Sequence, residues 1–222
     1  MRAAKLNAVG WTAVFALSLG GLASAQTYTP TPSTSHWTVD SAETVGSGAN
    51  VLRGQVGFPG FVGDFIHGID PGFDIGGRMW LNYSPEGNTQ GTAFEWKIQL
   101  TLRKLLMDSG KIKLAGTFDP GFLLISSGGT TTGITFPVGV QVGIPIDPKV
   151  IINASFDLNM YVLFNAATNF HLPLLFGGGV EYLLEPNLAL TFKLRLGPDI
   201  GFGTFSGTNF AFNALFGVAY KL

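Results

Sequence analysis

Cysteine is absent from the 222 residues, which excludes disulfide staples and thiolate metal sites as well as a lipid anchor on a Cys. Charge is scarce too: Asp, Glu, Lys and Arg make up 12% of the chain and nearly cancel, so no basic surface exists to attract nucleic acid. Long apolar runs are missing beyond residue 25; none approaches the roughly eighteen residues that a membrane-spanning helix needs. Yet 46% of the residues are hydrophobic, with 31 Gly and 19 Phe. Apolar content of this size without apolar runs is dispersed by alternation, as in strands with one oily face.

Residues 1–25 read as a secretory signal. Arg2 and Lys5 form the basic start, Ala8 to Leu22 the apolar middle, and Ala23-Ser24-Ala25 a cleavage site of small residues. Cleavage removes Arg2 and Lys5 from the 13 basic residues and leaves all 14 acidic ones, so the mature chain is mildly acidic. From Gln26 to about residue 49, Thr, Pro, Ser and Gly dominate. This is the composition of a flexible periplasmic lead-in, with Trp37 and Val39 as residues able to fold back into a barrel mouth as a plug.

The remainder is organised by a repeated turn. Ile69-Asp70-Pro71-Gly72-Phe73, Ile146-Asp147-Pro148-Lys149-Val150 and Leu184-Glu185-Pro186-Asn187-Leu188 each combine an acid with Pro between apolar residues. Pro fixes φ and the acid can accept a bond from the following backbone, so each is a tight reversal. With Asp108-Ser109-Gly110, the acids stand at positions 70, 108, 147 and 185, a spacing of about 38 residues. That period is one up-and-down hairpin: two strands, a short turn and a longer loop. It predicts strands near 50–58, 61–69, 72–83, 92–105, 111–125, 133–145, 149–163, 171–184, 188–198 and 209–222. The count is ten, or eight if the very tight Phe58-Pro59-Gly60-Phe61 turn fails.

Alternation supports this within single strands. In Thr92 to Arg103, Phe94, Trp96, Ile98, Leu100 and Leu102 share one face, and Glu95, Lys97, Gln99, Thr101 and Arg103 the other. From Asn209 to Leu222, Phe210, Phe212, Ala214, Phe216, Val218, Tyr220 and Leu222 line one face. Two soluble sheets could bury such faces against each other. A closed barrel covers them with lipid and pairs every backbone group where water is absent. Aromatic residues near strand ends (Tyr83, Phe94, Trp96, Phe136, Phe164, Phe170, Phe210 and Phe212 at one rim, Phe73, Tyr182 and Tyr220 at the other) fit interfacial girdles.

A terminal strand of this kind, with an aromatic third from the end, resembles that of small bacterial outer-membrane barrels of the OmpA/OmpX/OmpW type. The usual final Phe is here Leu222. The resemblance covers about residues 50–222. It implies an all-β, single-domain transmembrane antiparallel up-and-down β-barrel in the outer membrane, with both termini periplasmic. It also implies lipid as the surrounding partner and a barrel-assembly machinery that reads Phe216, Val218, Tyr220 and Leu222. It carries over no catalytic or cofactor-binding residues.

The inward faces collect charge of both signs: Arg53, Asp64, Asp74, Arg78, Glu95, Lys97, Arg103, Lys113, Asp119, Asp157, Glu181, Lys193 and Arg195. Folding strands about the turns brings Arg78 towards Glu95, Lys97 towards Asp119 and Glu181 towards Lys193. The expectation is a salt-bridged, largely filled interior with a structural or surface-interaction role and no enzymatic activity. Inward Gly139, Gly143, Gly177, Gly179, Gly197 and Gly217 point instead to a narrow pore, and Leu175, Leu183 and Leu215 to a passage for small apolar molecules. His171, Ser126, Ser127 and Asp199 fall on separate outer connections, with no G-x-S-x-G motif for a hydrolase. His36 and His67 have no zinc-site spacing.

Overall fold

The computed structural model describes residues 37–88, 93–164, 168–203 and 206–222; the signal sequence and residues 26–36 lie outside them. The strands are β1 (Asn50–Phe58), β2 (Gly60–Asp70), β3 (Phe73–Asn82), β4 (Phe94–Asp108), β5 (Lys113–Phe118), β6 (Gly121–Ser126), β7 (Thr130–Thr135), β8 (Val138–Asp147), β9 (Val150–Leu158), β10 (Tyr161–Phe164), β11 (Thr168–Glu185), β12 (Leu188–Phe202) and β13 (Gly207–Lys221). Three pairs are single staves interrupted once: β5/β6 at Asp119–Pro120, β7/β8 at Phe136–Pro137, β9/β10 at Asn159–Met160. Proline has no N–H to give a ladder. The wall nonetheless stays hydrogen-bonded across these breaks, from Leu100 N to Pro120 O (2.8 Å), Asp119 N to Pro137 O (2.9 Å) and Phe136 N to Met160 O (2.9 Å).

Among the described residues there are therefore ten staves, each antiparallel to its sequence neighbours. The ring closes where β1 pairs with β13, from Val51 opposite Lys221 to Phe58 opposite Ala214. The first hairpin forms with Pro59 alone between β1 and β2, so the count is ten and not eight.

The turn metre has a structural cause. At each of the four short turns the ladder slips by one residue, between Gly68 and Asp70, Leu105 and Met107, Pro145 and Asp147, and Leu183 and Glu185. The acid then accepts the backbone N–H two residues on at three of them: Asp70 from Gly72 (2.6 Å), Asp108 from Gly110 (2.7 Å) and Asp147 from Lys149 (2.7 Å). A bulge bends and twists the strand into the reversal. These turns define one end of the barrel, the turn end; the opposite strand ends, at Phe58, Asn82, Ser126, Phe164 and Phe202, define the loop end.

Of the two readings of the lead-in, flexible segment or plug, residues 37–45 follow the plug: they are buried throughout and enter the lumen from the turn end. Trp37 Nε1 donates to Pro186 O (2.9 Å) and Thr44 Oγ1 to Pro71 O (2.8 Å), both in short turns. Trp37, Val39 and Val45 pack with Val51, Ile66, Leu183, Ala189 and Ala219. That apolar cluster supplies the energy that a Thr/Pro-rich segment by itself lacks. We call residues 37–45 the strap.

Candidate functional site: a charged lumen closed by a strap

Strand alternation decides what each face meets. Outward residues are apolar and exposed all the way round, among them Leu52, Phe65, Ile98, Phe122 (72%), Val140, Phe156, Phe176 (60%), Phe192 and Phe216. Inward residues include most of the charge, and Arg53, Glu95, Lys97, Arg103, Lys113, Asp157, Glu181, Lys193 and Arg195 are all buried. Arg78 and Asp119 are partly buried and face each other. A water-soluble protein has the opposite distribution. The chain has the fold of small outer-membrane barrels.

Solved structures resemble it at low identity. They include the outer membrane protease OmpT from Escherichia coli (9% identity, 86% of this chain, 100% of that one, TM-score 0.45). The KdgM porin in complex with disordered oligogalacturonate follows (11%, 78% and 98%, TM-score 0.33), as does Ail of Yersinia pestis (8%, 78% and 94%, TM-score 0.30). No family model and no curated protein matches the chain. The fold therefore rests on the closed ladder itself.

The lumen's core is a run of alternating charge. Asp40 on the strap pairs with Arg53 Nη1; Arg53 Nη2 reaches Asp64 (2.6 Å). Asp64 in turn accepts from Arg78 Nε (2.5 Å), and Arg78 Nη1 donates to Asp119 (2.8 Å). Gln55 Nε2 bridges Asp40 and Thr191, at 3.0 Å to each. Lys193 stands 3.9 Å from Asp40, and Arg195 3.6 Å from Asp157. Burial alone would raise the Asp40 carboxyl, but Arg53 and Lys193 outweigh burial and hold it well below the ordinary carboxylate range. Asp40 is thus an ionised anchor.

Four further wall groups hold the strap. Glu181 accepts the backbone N–H of both Val39 and Asp40, each at 2.9 Å. Arg103 donates to Thr38 O (2.8 Å) and Ser41 O (2.9 Å) while paired with Asp74 (2.5 Å). Lys113 pairs with Glu43 and lies 3.3 Å from Asp108. Lys221 Nζ donates to Val45 O (3.1 Å). Nearer the loop end, Trp80 Nε1 donates to Gln99 (2.9 Å), Lys97 lies 5.0 Å from the Trp80 ring, and Asn82 donates to Glu95 (2.7 Å).

Two of the pairs expected from sequence are replaced by others. Arg78 meets Asp64 and Asp119, not Glu95, while Lys97 lies 3.3 Å from Glu95 and also interacts electrostatically with Asp119. Glu181 stands opposite Thr191, and Lys193 opposite Gly179. Asp40 and Glu43, which sequence reasoning did not place in the interior, complete the network. Their signal was Trp37-Thr38-Val39-Asp40-Ser41-Ala42-Glu43-Thr44-Val45, the one stretch of the lead-in mixing apolar and acidic residues.

The inward glycines are occupied ground. A Cβ at Gly177 would stand 2.6 Å from Ser155 Oγ and 2.7 Å from Arg195 Cγ; one at Gly179 would stand 2.9 Å from Asn153 Oδ1; one at Gly143 would strike Ser41 of the strap. Their missing side chains make room for neighbouring polar groups. A Gly177→Val protein is therefore expected to lose about 1–3 kcal/mol by overpacking, measurable by urea titration of the lipid-folded protein. A small cavity of about 30 Å³ remains beside Val39, Asp74, Arg78, Arg103, Asp119 and Gln141, enough for a water or two.

At the loop end, Asn88 bridges to Ala211, a lumen-facing residue of β13, so the 3-10 turn Pro85–Gly87 dips into the mouth. His171 and Asp199 approach to 3.4 Å there, with Tyr161 stacked on His171 at 4.6 Å. Ser126 at the end of β6 and Ser127 beyond it are exposed, and among the described residues no contact brings a serine or threonine hydroxyl to the imidazole, as acyl transfer requires. His67 Nδ1 instead meets Asn50 Oδ1 (2.8 Å), and His36 lies outside the described residues. Among the described residues no group of three or more His, Asp or Glu could hold a metal. Phe216, Val218 and Tyr220 on β13, and Leu222 just past its end, are exposed.

Proposed function

We propose that this chain is an integral protein of the bacterial outer membrane whose lumen is closed at rest, with a structural or surface-interaction role and no catalytic one. The observation that carries the reading is the inverted distribution of polarity: an exposed apolar belt around a buried, paired, strap-filled interior. The secretion signal in the sequence agrees with it. The turn end, with strap and C-terminus, then faces the periplasm, and the longer loops face outward. The outward row Phe216, Val218, Tyr220 and Leu222 is the part the assembly machinery would read.

The test is electrical. Residues 26–222, refolded into planar lipid bilayers with β-structure verified by circular dichroism, are expected to give no stable current steps. Regular ohmic steps would overturn the closed lumen and favour the narrow-porin reading instead.

A further inference from the structure

The wall treats the strap as a bound peptide. It does not extend the strand ladder onto it; it grips its main chain with side chains, Glu181 on two N–H groups and Arg103 on two carbonyls. Such contacts are indifferent to sequence. Selectivity comes from two pockets set three residues apart along the strap: Arg53 with Gln55 for the Asp40 carboxylate, and Lys113 for that of Glu43. Backbone contacts for affinity and side-chain pockets for choice are the general pattern of peptide recognition.

The fit is also incomplete. Ser41 Oγ and one carboxylate oxygen of Glu43 are buried without a hydrogen-bond partner, an unfavourable arrangement for a polar group out of water. The cavity of about 30 Å³ beside Val39 is a second gap. An occupant that filled that gap and satisfied those atoms would compete with the strap.

We infer that the turn-end lumen is a binding site for short acidic peptide segments carrying two carboxylates three residues apart, and that the strap is its resident, exchangeable occupant. Exchange means that the strap leaves and a free segment takes the same pockets, with the barrel wall unchanged.

The chain's lack of cysteine makes a direct test possible. A Cβ built on Gly143 lies 3.5 Å from Ser41 Cβ, a disulfide spacing, so the double variant S41C/G143C can be locked by oxidation. The probe is a fluorescein-labelled synthetic peptide of residues 37–47, followed by anisotropy with the folded mature protein in detergent micelles. Its D40N/E43Q version serves as control. The wild-type protein is expected to take up the acidic peptide slowly and the control at least about tenfold more weakly, the effect of losing charge-assisted bonds. Oxidised S41C/G143C should take up none, with uptake restored by dithiothreitol. No uptake by folded wild-type protein, equal uptake of the two peptides, or uptake by the oxidised variant each overturns the proposal. Should the variant fail to fold or oxidise, the two peptides on wild-type protein decide alone.

Discussion

An Arg53→Met protein should lose about 3–5 kcal/mol of unfolding free energy, the cost of leaving buried charge without its partner. Arg53 pairs directly with both Asp40 and Asp64, and its side chain is 2% exposed. Methionine preserves most of the packing and removes the fork, so Asp40 keeps Gln55 and the more distant Lys193, and Asp64 keeps Arg78. Arg53→Lys should recover only part of the loss, because an ammonium cannot present two parallel donors to carboxylates on opposite sides. Urea titration of the refolded protein in lipid vesicles, followed by tryptophan fluorescence, reads both values. A loss below about 1 kcal/mol for Arg53→Met would mean that the charge run is solvated and the lumen wet.

The second large effect belongs to the outer face. Phe176 lies midway along β11, is 60% exposed, and stacks against Phe156 at 4.9 Å between ring centres. If lipid covers it, Phe176→Arg should destabilise the protein by about 2–4 kcal/mol, whereas Tyr220→Arg, close to the turn end, should cost about 0–1 kcal/mol. The depth dependence is the point. On a water-exposed surface an exposed Phe replaced by Arg changes stability little at either place, so equal, small effects at both positions would remove the membrane assignment.

How much of this was written locally along the chain can be judged from particular residues. The turns were legible because their chemistry is short-range: Asp70, Asp108 and Asp147 bond backbone two residues away, and alternation shows within any strand such as β4. Pairing across strands was less legible. The bulge beside each turn slides the ladder by one residue; Glu181 faces Thr191, and Lys193 stands two residues further along, opposite Gly179. The Pro120 and Pro137 interruptions look like loop punctuation in one dimension; in three the stave only pauses and keeps its neighbours, β5 and β6 both pairing with β4 on one side and with β8 and β7 of the next stave on the other. The strap was hardest. Nine residues carry no period long enough to count, and their partners stretch from Arg53 to Lys221.

The strap's partners have a bearing on the order in which the molecule is built. Arg53 sits on β1, Asp74 on β3, Arg103 on β4, Lys113 on β5, Glu181 on β11 and Lys221 on β13, so the strap's seat is assembled from staves contributed by both ends of the chain. Before β1 meets β13 that seat does not exist. The segment that precedes the barrel in sequence is thus the last to take its place, and a seated strap certifies a completed ring.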